Sequence, residues 1–199
     1  MAQGLLWLGL VLLATLQAQV QGSSGSLIPA PALNKIPLQP DFKEEQFQGK
    51  WYVIAIAGNS INKRKQGQAK MYSSTYRLLD NTTFSVTSLL VRNGLCERLM
   101  RTFVQSSKPG QFTLGNIERY EGMQSYTVRV VSSNYDEFAI LFFKKLFKNR
   151  EYFKMTLYGR SKMVPDDLKE YFILFVKSLG LTDNHILFFV PTGQCIDDD

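Results

Sequence analysis

The chain has 199 residues, 45% of them hydrophobic and 20% charged, which excludes a disordered or collagen-like chain and is enough for one domain with a sizeable core. A formal net charge of +6 and a pI near 9.3 favour an anionic partner. Nucleic acid would require one dense basic face, whereas only Asn62-Lys63-Arg64-Lys65 clusters, and that run reads equally well as a solvated loop.

In chain order, residues 1–20 contain the apolar run "GLLWLGLVLLATLQA" followed by small and polar residues, the pattern of a secretory signal cut between Ala18 and Gly22, although no charged segment precedes it. The run is shorter than the ~20 apolar residues a membrane span needs, and no second run of that length follows. A secreted, extracellular protein without a membrane span is expected. Residues 21–48, rich in Ser, Gly and Pro and then amphipathic, form an N-terminal arm ending in a short helical turn.

From Gly49 the pattern becomes short runs with strand character between turn residues such as Asn93-Gly94, Lys108-Pro109-Gly110 and Glu121-Gly122. Strands are predicted near 50–57, 70–79, 83–92, 96–105, 111–116, 124–132, 137–146 and 151–159. Eight strands with hairpin-length links make an all-β, up-and-down antiparallel barrel over residues 49–160, because closure removes both sheet edges. Residues 161–199 form a C-terminal helix and tail. In "PDDLKEYFILFVKSLG", Leu168, Phe172, Phe175, Val176 and Leu179 recur at helical spacing, with Asp166 and Asp167 in the first turn and Gly180 as the terminating residue. That helix is expected to pack by its apolar face on the outside of the barrel.

Secretion makes the two cysteines legible, since an even pair in an oxidising compartment is most simply one disulfide, Cys96 to Cys195. Asn81-Thr82-Thr83 is a glycosylation sequon at a predicted hairpin turn, with Asn81 as acceptor. Catalytic readings have little support. His185 is the single histidine and is expected to cap or pack beside the C-terminal helix, and neither Gly-x-Ser-x-Gly nor His-Glu-x-x-His occurs. No intrinsic cofactor and no protein-bound metal are expected.

Three segments carry a resemblance: Gly49-Lys50-Trp51 at the start of the first strand, "VVSSNYDEF" at 130–138, and "LYGR" at 157–160. In this order and separation they resemble the signature of the lipocalin family. Further stretches, among them "GKWYV", "FTLGNI", "SYTVRVVSSNY", "FFKK" and "NREYFK", resemble its siderophore-binding branch. The resemblance implies that Arg160 covers the Trp51 indole and closes the bottom of the cup beside Gly49. It also implies capture of ferric siderophores, catecholates such as enterobactin and also carboxymycobactins, as part of innate immunity and extracellular iron traffic. A cell-surface uptake receptor is implied as well. Iron would arrive wrapped in its chelator. Members of that branch carry a further cysteine near "VQSSKPG" that links covalently to a gelatinase; Ser106 and Ser107 stand there, so that link is not expected, and the chain should be a monomer or a non-covalent dimer. Leu99 occupies the place of a chamber-lining Trp in those relatives.

Side chains alternate along a strand, so Tyr152, Lys154, Thr156, Tyr158 and Arg160 share a face. Lys154 then stands about 20 Å above Arg160, towards the mouth. Along the preceding strand, Leu141, Phe143 and Lys145 share one face and Phe142 and Lys144 the other. Both faces are apolar, so residues alone leave the phase open; the resemblance turns Lys145 inward and places Arg101 in the same chamber. Pairing Lys145 with Tyr152 would bring Lys145 and Lys154 within ~7–8 Å. Three neighbouring cations disfavour one another and lose hydration, which suits a site completed by an anion. Tyr72, Tyr120, Tyr126 and Tyr158 would supply hydroxyls and rings, and Ser74 and Ser88 would line the chamber and leave room. The competing reading is a carrier of neutral or fatty-acid lipophiles, for which three inward cations are not needed.

Overall fold

The computed structural model describes residues 27–66, 69–80 and 82–197. The predicted signal at 1–20, the first residues of the arm and the sequon residue Asn81 lie outside them. A short 3-10 turn, Leu33–Lys35, and a one-turn helix, α1 (Glu44–Phe47), lead into β1 (Gly49–Gly58). A second one-turn helix, α2 (Lys63–Gln66), replaces the solvated loop read at the basic cluster. The strands β2 (Ser73–Asp80), β3 (Thr83–Arg92), β4 (Leu95–Gln105), β5 (Gln111–Leu114), β6 (Met123–Ser133), β7 (Phe138–Phe147) and β8 (Arg150–Gly159) follow. Each is antiparallel to its neighbour, and β1 closes the barrel by pairing with β8 on one side and β2 on the other. Helix α3 (Asp166–Ser178) and β9 (Ile186–Phe188) complete the chain, with β9 added to β1 outside the barrel.

All eight predicted barrel strands exist. The second begins later than expected, at Ser73, and the fifth ends earlier, at Leu114, where Asn116 enters a left-handed conformation (φ 49°) and a 3-10 turn, Ile117–Arg119, takes over. β9 lies within the segment expected to be tail. It is only three residues long and shows as a strand only because the edge of β1 above Ala55 is free to receive it.

Two apolar clusters form on opposite sides of one layer of strands. Outside, Phe142, Phe153, Met155 and Leu157 pack beneath Phe172 and Val176 of α3. Inside, Trp51, Phe47, Phe84, Phe112 and Tyr76 fill the lower end of the barrel. Gly180 ends α3 with φ 88°, and its N–H donates to Lys177 O while Leu181 N–H donates to Val176 O, the arrangement that glycine past a helix end permits. The single histidine caps a different element: Thr182 and His185 form a reciprocal capping box on the 3-10 turn Asp183–His185, beyond α3.

Arg160 closes the bottom. Its guanidinium lies 3.6 Å from the Trp51 ring centre and donates to Tyr135 O, Lys50 O, Gln48 O and Gln46 O at 2.8–3.1 Å. Trp51 is fully buried, and its indole N–H donates to Phe47 O at 2.9 Å. Gly49, at φ 97°, leaves room for this plug: a Cβ there would stand 3.1 Å from an Arg160 nitrogen. Cys96 and Cys195 are joined, closing a loop of 99 residues, a constraint of about 4–5 kcal/mol in the chain-entropy model.

Because Arg160 serves four carbonyls and one aromatic face, its replacement exposes unmet acceptors as well as losing the cation–π contact. Arg160→Ala should lower the unfolding free energy by at least about 2 kcal/mol. Arg160→Lys should recover little of it, since a point charge cannot reach four separately placed acceptors. Urea unfolding of the three proteins checks this; full recovery by lysine would contradict it.

Candidate functional site

Strands β7 and β8 are locked in phase by the outer cluster. With Phe142, Phe153, Met155 and Leu157 under α3, alternation sends Phe143, Lys145, Lys154, Thr156 and Tyr158 to the interior. Lys145 pairs with Tyr152 and Phe143 with Lys154, so the two lysines are diagonal neighbours, as read from the sequence. Lys144 turns its ammonium to the opposite face, where it is tied to Glu151 at 2.9 Å, while the residue itself borders the internal chamber.

Above the aromatic floor is a cavity of about 260 Å³. Its lining includes Arg101, Tyr120, Tyr126, Lys145 and Lys154, five of the nine residues expected to bind ligand. Ser60 and Met123 also line it. Ser60 lies in the turn after β1 and Met123 opens β6, places where alternation gives no signal, and they escaped sequence reasoning. Tyr72, Ser74, Ser88 and Tyr158 are not part of that lining. The Ser74 and Ser88 hydroxyls bond each other at 2.8 Å, Tyr158 shares its hydroxyl with Tyr76 at 3.3 Å, and the Tyr72 ring meets Phe189 edge-on at 5.2 Å. The Thr156 hydroxyl, fully buried on the same face as Lys154, has no hydrogen-bond partner among the described residues. A larger cleft, about 710 Å³, lies outside the barrel beside the start of α3, away from this cation cluster.

The chamber cations rest on aromatic faces. Lys154 Nζ is 4.7 Å from the Phe143 ring centre, and Lys145 Nζ is 5.3 Å from that of Tyr152 and 5.5 Å from that of Phe147. The Tyr126 ring stacks on Phe103 at 6.1 Å. Among the described residues no carboxylate is paired with Arg101, Lys145 or Lys154. Burial, then the Arg101 and Lys145 charges, bring the Lys154 pKa from 10.5 to about 8. Burial and then Arg101 also lower that of Lys145. Burial pushes the Tyr126 hydroxyl up to about 12 against the opposing pull of Arg101, and holds Tyr72, Tyr76 and Tyr158 above the ordinary phenol value. A chamber of partly desolvated cations, neutral phenols and flat rings attracts a planar aromatic anion by both charge and ring face.

Among the described residues no three His, Cys, Asp or Glu side chains are grouped to hold a metal ion, and no helix is long and apolar enough to cross a membrane. Both cysteines are consumed in the disulfide, so no thiolate is present for covalent chemistry.

The closed barrel, its plug and its outside helix define a ligand-binding protein built around an internal chamber. Residues 48–193 match the model of the lipocalin / cytosolic fatty-acid binding protein family, and the chain belongs to the lipocalins. It is 56% identical to human neutrophil gelatinase-associated lipocalin over 99% of this chain and 100% of that one, and 54% identical to the rat protein of that name over the full length of both. The solution structure of lipocalin 12 from rat epididymis superposes with a TM-score of 0.70 at 27% identity, covering 77% of this chain and 87% of that one. With relatives of this kind the protein is a carrier of small ligands and not an enzyme.

The Lys154 shift carries a sign. Because folding lowers this pKa, the unfolded chain binds the additional proton above pH 8, so stability of the ligand-free protein should rise from pH 8 to about 10. Higher up, the raised phenol values reverse the trend. Lys154→Met should remove the rise and stabilise the empty protein at pH 7 by up to about 3 kcal/mol. Denaturant midpoints at pH 7, 8, 9 and 10 test it. Parallel curves for the two proteins would mean that Lys154 is well hydrated.

Proposed function

We propose that the protein is a secreted carrier that captures ferric siderophores, catecholates first among them, and so withholds iron from bacteria. The observation that carries this reading is the cation triad, Arg101, Lys145 and Lys154, enclosed with aromatic rings and without carboxylate partners among the described residues. Iron(III) with three doubly ionised catechols has a net charge of about three minus, and its rings are flat. Such a ligand supplies the missing counter-charge and lies against the tyrosines at once. Arg101, Lys145 and Lys154 hold the charge in this reading, and Tyr120 and Tyr126 the rings. Tyr72, Ser74, Ser88 and Tyr158 form a polar base beneath. The chelator fills the iron coordination sphere, so the protein need supply no metal ligand. Secretion is supported by the leader-like first 20 residues and the disulfide. Delivery would pass through a cell-surface receptor, and the particle would be a monomer or a non-covalent dimer.

A neutral-lipid or fatty-acid carrier is the competing reading. It leaves at least two partly buried cations without a counter-charge among the described residues, a cost that anion capture removes.

Truncating one member of a desolvated charge pair commonly costs ~2–5 kcal/mol. Lys154→Ala should therefore weaken ferric enterobactin by about 2 kcal/mol or more, whereas Lys144→Ala, on the outer face, should change affinity little. Tryptophan-fluorescence titration, with retinol as the neutral comparison, reads both. Equal losses from the two variants would place the charge on the wrong face. Unchanged affinity on removing each of Lys154, Lys145 and Arg101 would leave the neutral-ligand carrier. A bound trianion must also raise the Lys154 pKa. Affinity should thus be flat below about pH 8 and fall above it, with proton uptake visible in calorimetry run in buffers of different ionisation enthalpy.

With Cys96 and Cys195 joined, non-reducing electrophoresis should show neither a disulfide-linked dimer nor a gelatinase adduct. A reducible higher band would contradict that pairing.

A further inference from the structure

The barrel wall is incomplete on one side. β4 runs from Leu95 to Gln105, but β5 pairs only with Phe103, Val104 and Gln105. One more backbone bond, Gly115 N–H to Thr102 O at 2.8 Å, ends the contact. Above it, no ladder joins Leu95–Arg101 to the next element among the described residues; the chain has turned into the 3-10 segment Ile117–Arg119. Since Thr102 directs its carbonyl towards β5, alternation directs the main-chain groups of Met100 and Arg98 into the same gap.

A second cavity, about 300 Å³, lies against this gap and is lined by Ser85, Met100, Thr102 and Arg119 among others. Arg101 and Tyr120 line both this cavity and the internal chamber. Side chains, with no strand ladder, separate the two spaces. Met100 is 64% exposed, and Arg119 is exposed with no ion pair among the described residues. The chamber itself, at about 260 Å³, falls just below the roughly 300–1,000 Å³ usual for ligand sites. A ligand much larger than its rigid head must send the remainder out, and the gap offers a route besides the mouth.

We propose that the gap between β4 and the Ile117–Arg119 turn is a side exit, and that the cavity beyond it is a subsite for an anionic arm. A chelate of the class bound in the chamber would pass an extended, carboxylate-terminated arm between Arg101 and Tyr120. The carboxylate meets the Arg119 guanidinium, and amide or hydroxyl groups along the arm meet the free main-chain groups of Met100 and the hydroxyls of Ser85 and Thr102. This rests on the chamber reading above and extends it to ligands with a charged tail.

Three ferric tris-catecholate probes test it: one without an arm, one with an aliphatic arm ending in a carboxylate, and one with the same arm ending in a primary amide. Wild-type protein should bind the carboxylate probe about two- to five-fold tighter than the amide probe, the range of an exposed ion pair. Arg119→Gln should abolish that difference and leave the armless probe unchanged. Ser85→Phe, which fills the outer cavity from a strand position that accepts an aromatic ring, should weaken both armed probes and spare the armless one. Equal losses for all three probes in Arg119→Gln would reduce Arg119 to a distant field effect and overturn the side exit. No change for any probe in either variant would send the arm through the mouth and overturn it equally. Failure of all three probes to bind the wild type would instead sink the chamber reading itself, and the exit with it.

Discussion

Strand β8 carries apolar residues on one face and polar ones on the other, and both faces are enclosed. Phe153, Met155 and Leu157 are pressed under α3, while Lys154, Thr156 and Tyr158 look into the barrel. A slip of one residue would drive Lys154 beneath the helix and open the outer cluster, so the register is fixed by both layers at once. Arg160, at the end of the same strand, is held by four carbonyls and the Trp51 face. The height of Lys154 above the floor follows from that anchor, and the position of Lys145 follows from its pairing across the β7–β8 hairpin. The chamber is thus placed by packing outside it and a plug below it, and its own residues remain free to be chosen for ligand.

That freedom is visible in their cost. A lysine whose proton is destabilised by burial and by two neighbouring cations weakens the empty fold. The rest of the barrel compensates, with large apolar clusters on both faces of the sheet and a disulfide across 99 residues. Local rules are broken at the chamber, as expected where function and stability compete. The Thr156 hydroxyl, buried on the same face and unpartnered among the described residues, belongs to this pattern.

Strand count, barrel closure, the outer helix with its Gly180 stop and the cysteine pair were legible because each rests on local periodicity or on simple counting. The phase of Lys144 and Lys145 was not legible from residues alone. Phe142 and Phe143 precede them, both faces of β7 are buried, and alternation therefore carries no contrast. The resemblance supplied the phase, and packing under α3 explains it. β9 escaped because a three-residue strand has no period of its own. The clamp on the N-terminal arm escaped for another reason. Arg129 lies on the outer face of β6, where an arginine ordinarily meets solvent, yet its guanidinium donates to Leu33 O, Ile36 O and Gln111 Oε1. Only the path of the arm, 93–96 residues away in sequence, makes that position buried.

The disulfide takes on a more specific sense beside the gap in the wall. Over Leu95–Arg101, β4 has a ladder on the β3 side and, among the described residues, none on the other, so the upper part of β4 lacks two-sided support. A free edge of that length tends to fray or to recruit another strand. Cys96 sits within it, and Cys195 ties it to a tail that is itself fixed: Ser73 Oγ donates to Ile196 O, and Asp197 accepts from Lys162 at 2.6 Å. The covalent link holds the upper part of β4 from outside the barrel, so the strand stays in place without a partner across the gap. Closing the wall with a longer β5 would have given the same support and filled the space between Arg101 and Arg119. A staple in place of a ladder keeps β4 ordered and leaves that side of the chamber open.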